Sequence, residues 1–131
     1  MGNKELWYPS VLDAKRANKV AIENFRATKS ERFEVLSHDK LNNALERCKK
    51  KPGSVEKRAV CLLKSVSDAH AFASGNRRTS YILMNEFLWK NKGYMIAKKK
   101  EYTSQLFKEL RRRDVKEKEI LNWYKHNERH I

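Results

Sequence analysis

Asp68-Ala69-His70-Ala71-Phe72-Ala73-Ser74-Gly75-Asn76-Arg77-Arg78-Thr79-Ser80-Tyr81 joins two apolar helical patterns through a turn of small residues. Upstream, Ala59, Leu62, Leu63, Val66 and Ala69 recur at three- and four-residue spacing; downstream, Thr79, Ile82, Leu83, Phe87 and Leu88 begin a second stripe. Both flanks read as buried helices, with the turn held between them. A loop that enters a helix through Ser74, Gly75 and Asn76 leaves the first N–H groups of that helix to face an anion, and Arg77 and Arg78 add charge at the same end. Two arginines in a first turn oppose the helix dipole, a conflict that an anionic ligand relieves. His70, just before the turn, is the natural proton acceptor beside such an anion. Alone it would read as a structural histidine; Asn76, Arg78 and the glycine turn move the reading towards function. His38, His126 and His130 have no such company.

Outward from this stretch the chain reads as helices. Ser10 and Asp13 form a capping box for a helix ending near Thr28, with Val11, Ala14, Ala17, Ala21 and Phe25 on one face and Trp7 and Tyr8 folding back on the core. Residues 30–36 alternate briefly, which suggests an extended linker or a short strand. A second helix spans about 39–50 and buries Leu41, Ala44, Leu45 and Cys48; Pro52-Gly53 breaks it, and Ser54 caps a third helix that ends at His70. The helix carrying the second stripe closes at Gly93. Tyr94 to Ala97 connect to a helix over 99–113, and Asp114 with Glu117 caps a last helix bearing Ile120, Leu121 and Trp123. The expected fold is an all-α, single-domain compact bundle of about six helices over residues 1–131, with the motif loop between two central buried helices.

Thirty Lys and Arg against sixteen Asp and Glu leave a net charge of +14, which favours an acidic partner; a nucleotide, nucleic acid or an acidic protein would each serve. The excess is spread along the chain rather than gathered in one run, so lysines that merely cover helix faces explain it equally well. Cys48 and Cys61 lack metal-ligand spacing and read as core thiols. No apolar run reaches the roughly 18 residues of a membrane span and no signal peptide opens the chain, so a cytoplasmic protein without membrane contact is expected.

His70-Ala-Phe72-Ala-Ser74-Gly75-Asn76-Arg77-Arg78 resembles the Fic/Doc motif, His-x-Phe-x-Asp/Glu-Gly-Asn-Gly/Lys-Arg, and Thr79 matches the Doc branch, where Lys-Arg-Thr is usual. Trp7-Tyr8-Pro9-Ser10, Leu41 to Leu45 and Asn85-Glu86-Phe87-Leu88 are also similar to the small Doc-type, or death-on-curing, toxins. The resemblance implies that His70 takes the proton from a target protein's hydroxyl, that Phe72 pins the loop, and that Gly75, Asn76 and Arg78 bind the phosphates of ATP or another nucleoside triphosphate, to which Arg77 adds charge at the same helix end. Ser74 stands where the family has the acidic residue that holds magnesium, so the metal is only weakly supported. Arg77 replaces the second glycine of AMP-transferring members, and Tyr81 their second arginine. Both changes resemble Doc and favour transfer of phosphate over AMP.

The break at residues 49–54 falls where family members carry the flap that lines up a target segment, though a plain helix connection fits it as well. Ser30 and Glu34 have the spacing of the family's inhibitory motif, but Val35 stands where Gly or Asn is required, and the match reads as chance. The resemblance thus implies a toxin of a toxin-antitoxin module that modifies a cytosolic protein, a translation factor being the target class it suggests, restrained by a separate antitoxin. A degenerate relative that binds nucleotide or protein without chemistry, and a small basic nucleic-acid binder, are the alternatives.

Overall fold

Apolar stripes at helical spacing, each opened by a cap and closed by glycine or proline, produce the observed architecture. The structure, a computed structural model, describes residues 5–25, 29–96, 108 and 116–130. Five helices lie among them: α1 (Val11–Phe25), α2 (His38–Lys49), α3 (Val55–Ala69), α4 (Asn76–Lys92) and α5 (Glu117–Asn127). A two-stranded ribbon, β1 (Tyr94–Ile96) antiparallel to β2 (Glu128–His130) with Met95 opposite Arg129, joins the end of α4 to the end of the chain. The fold is the expected helical bundle, and the ribbon is its one departure among the described residues. The helix expected over 99–113 and the Asp114 cap lie outside the described residues.

The caps form as their chemistry dictates. Asp13 Oδ2 accepts from the Ser10 backbone N–H at 2.8 Å while Ser10 Oγ accepts from the Asp13 N–H at 3.1 Å, so two otherwise orphaned donors are satisfied reciprocally. Ser37 Oγ and Ser54 Oγ accept from the N–H of Lys40 and Lys57, opening α2 and α3. Gly93, left-handed at φ 76°, closes α4 by donating its N–H to the Trp89 carbonyl at 3.0 Å.

α3 is the centre of the bundle. Ala59, Val60, Cys61, Leu62 and Leu63 are all buried in succession, so the helix is covered on every side, by α2, α4 and α5. α4 contributes Leu83, Met84, Phe87 and Leu88 and also packs on α1. Each fully buried side chain of this size contributes about 1.5–3 kcal/mol of transfer free energy, which is why the α3–α4 pair fixes the turn between them. The opening segment does fold back: the Tyr8 ring stands 5.3 Å from that of Phe87, and Asn91 exchanges two hydrogen bonds with the Trp7 backbone. Residues 31–36 run extended, with Val35 bridging antiparallel to Phe72.

Candidate active site

α3 delivers His70 to its own C-terminal cap, where the backbone is left-handed at φ 48°, ψ 42°. His70 is the only non-glycine residue with positive φ among those described, and its side chain is exposed. Where a helix ends in a left-handed residue, that residue is usually glycine, because a β-carbon crowds the backbone there. A histidine in its place is a strained residue held by the packing of the segments on either side, the pattern found at functional positions.

The loop after His70 is fastened from three directions. Phe72 is buried in the core at 1% exposure. Asn76 Oδ1 accepts from the Phe72 N–H at 3.1 Å, and Asn76 Nδ2 donates to the Phe72 carbonyl at 2.9 Å, so the Asn76 amide closes the loop on itself. Residues 34–36 line its other side: Leu36 and Ser37 donate their N–H groups to the Ala71 carbonyl, and Ala73 donates to that of Glu34. The third fastening comes from α1. Asn18, fully buried, donates through Nδ2 to the Ser74 carbonyl at 2.8 Å and to Thr79 Oγ1 at 3.0 Å.

At the start of α4, Gly75 is left-handed at φ 75° and offers no side-chain cap, and no acidic residue occupies the first turn. A β-carbon there would stand 3.1 Å from Ile22 Cδ1 and 3.5 Å from Arg78 Nη2, so the glycine keeps a small cradle open beside the guanidinium. N–H groups at a helix N-terminus and adjacent arginines suit a phosphate. Arg78 already holds an anion: its Nη2 lies 2.7 Å from Glu31 Oε2, with the two side chains only 19% and 16% exposed. The carboxylate of Glu31 therefore occupies part of the guanidinium's donor face. Tyr81, at the position of the absent second arginine, is buried, and burial raises its phenol pKa.

The sequence-derived residues thus come together, with some roles redistributed. His70, Ser74, Gly75, Asn76, Arg77 and Arg78 form one continuous turn. The Asn76 side chain is a loop clasp, which leaves its backbone N–H for an anion. Ser74 contributes its carbonyl to Asn18, and the nearby carboxylate, Glu31, is engaged by Arg78. One neutral hydroxyl is a poor donor set for a hard cation, and magnesium does not fit the protein groups offered at this position. The flap expectation for residues 49–54 is corrected: they join α2 to α3 at the opposite end of α3 from His70, a helix of 15 residues and so about 22 Å long. The segment beside the motif loop is 31–36 instead. A cavity of about 490 Å³ lined by Lys51, Pro52, Val60, Glu117 and Leu121 also belongs to that far end.

Asn18 and Glu31 escaped sequence reasoning. Asn18 left a signal, a polar residue four after Ala14 and four before Ile22 on a buried stripe, where an amide needs partners. Glu31 left none, since no local spacing links it to an arginine 47 residues away.

A polar loop fastened between two central helices, with an exposed histidine at one end and a glycine-opened helix N-terminus at the other, is the architecture of a Fic-type domain. The Fic/DOC family model matches residues 12–88, more than half of the chain, and the chain belongs to that family. Neither the curated proteins nor the solved structures contain a match to it. No helix among the described residues is long and apolar enough to cross a membrane.

Proposed function

We propose that this protein is a Doc-type transferase that moves a phosphate group from a nucleoside triphosphate to a hydroxyl of a cytosolic protein, as the toxin of a toxin-antitoxin module. The observation that carries this reading is the pairing of a strained, exposed His70 with the open N-terminus of α4 five residues on. The target hydroxyl oxygen attacks the γ-phosphorus, the bond from that phosphorus to the nucleoside diphosphate breaks, and His70 takes the hydroxyl proton. The α4 N-terminus with Arg77 and Arg78 holds the phosphates, and Phe72, Asn76 and Asn18 keep the loop in register. Arg77 and Tyr81 in place of a glycine and an arginine favour phosphate over AMP. The reading brings with it a translation factor as the target class and a separate antitoxin as partner.

Incubation of the protein with a cytosolic extract and ATP labelled at either the α or the γ phosphate tests this directly. Label from the γ position on a protein band, lost in His70→Ala, is expected; label from the α position would make the group AMP. No label from either position, with ATP still bound, supports the second reading, a binding protein without chemistry. The neutral Ser74 and the Glu31–Arg78 pair favour that alternative.

A further inference from the structure

We propose that Cys48 and Cys61 form a peroxide-reactive dithiol that closes to a disulfide between α2 and α3. Spacing gives no hint of it, since the two lie 13 residues apart on different helices. α2 turns Cys48 inward on the face that carries Leu41, Ala44 and Leu45, and α3 brings Cys61 against it. The sulfur atoms lie 3.1 Å apart, both are free thiols, and both are fully buried. Nothing in the His70 chemistry uses them: Cys61 precedes His70 by nine residues on α3, about 13 Å along the helix.

The pair is asymmetric, which sets the order of events. Cys48 Sγ–H donates to Cys61 Sγ, and Ser65 Oγ lies 3.6 Å from the same Cys61 sulfur. The donated hydrogen bond stabilises the Cys61 thiolate and pulls its pKa down to about 7, while Cys48, as the donor, is pushed up. Cys61 is thus the nucleophile of the pair near neutral pH. Its sulfur attacks one oxygen of hydrogen peroxide, the O–O bond breaks, and Cys61 sulfenic acid and water form. The Cys48 sulfur then attacks the sulfenic sulfur, its proton leaving with the hydroxyl as a second water, and the S–S bond closes. The two thiols are oxidised by two electrons and one peroxide is reduced. The 490 Å³ cavity is lined by Val60, the residue before Cys61, and by Glu117, whose charge disfavours ionisation of both thiols; neither cysteine lines it, so the oxidant must reach the buried pair through local opening of the α2–α3 packing.

Intact-protein mass and thiol titration before and after hydrogen peroxide test the proposal on the native chain, whatever its transferase activity. The expected result is loss of both thiols with a monomer lighter by two hydrogens, and a rise of several degrees in the thermal midpoint that reductant reverses, because the bond restricts the unfolded chain. In Cys48→Ser a sulfenic-acid trap should label Cys61, whereas in Cys61→Ser Cys48 should stay unlabelled. A native protein that keeps two thiols after peroxide, or that cross-links between chains, overturns the dithiol. Labelling of Cys48 in Cys61→Ser without labelling of Cys61 in Cys48→Ser overturns the assigned order.

Discussion

His70 and Glu31 show how single residues are held at a cost to the fold. The left-handed backbone at His70 should be relieved by glycine, which has no β-carbon to crowd it, so His70→Gly is expected to raise stability by up to about 1 kcal/mol in denaturant melts while abolishing label transfer. A destabilised glycine variant would show that the imidazole itself holds the loop. Glu31 makes the complementary case. Its carboxylate neutralises Arg78 beside the α4 N-terminus, and a ligand anion would compete with it for that guanidinium. Glu31→Gln removes the competitor, so titration calorimetry should find inorganic phosphate or ATP bound on the order of tenfold more tightly, about 1.4 kcal/mol. The same substitution leaves Arg78 without its part-buried counter-charge, and the thermal midpoint should fall. Unchanged affinity would mean that Arg78 is not part of the anion site.

At the scale of elements, the α3–turn–α4 unit works because its glycine is irreplaceable. A β-carbon at Gly75 would meet Ile22 Cδ1 at 3.1 Å on a backbone already at φ 75°. Gly75→Ala should therefore cost about 1–2 kcal/mol and weaken ATP binding together, whereas Gly93→Ala, with open space around its β-carbon, should affect stability only. This unit was also the most legible in the sequence. Apolar spacing on both flanks, Ser54 and Gly93 as caps, and small residues in the turn all act over a few residues, and local rules capture such effects. The illegible parts are those where the chain meets itself over long separations. Residues 31–36 showed a brief alternation without revealing that they would lie along 71–73, and nothing in Lys51 foretold its ion pair with Glu117 at 2.8 Å. The β1–β2 ribbon pairs backbone with backbone, and its three-residue strands are too short to impose a period on the sequence.

For the whole molecule, the net charge of +14 acts on every anion, and a specific site must be distinguished from that general attraction. Several ion pairs among the described residues are exposed on both sides, such as Lys19–Glu23 and Arg32–Glu34, and such pairs lower the self-repulsion little. Added salt should then raise the thermal midpoint in chloride alone, as screening over about 10 Å at 0.1 M relieves the excess of like charge. Phosphate at matched ionic strength adds two further effects: exclusion from the surface, common to all variants, and occupation of the α4 N-terminus, which needs Arg78. Binding to the native state alone contributes about 1.4 kcal/mol when phosphate is roughly ten times its dissociation constant, or about 5 °C for a domain of this size. The difference between phosphate and chloride midpoints should therefore be largest in Glu31→Gln, smaller in the native chain, and reduced to the exclusion effect in Arg78→Ala. Random RNA provides the contrast, because its attraction to scattered lysines should weaken steeply with salt and be indifferent to Arg78. If instead Arg78→Ala keeps the full phosphate increment, the helix N-terminus is not where the anion binds, and the charge of the molecule accounts for it.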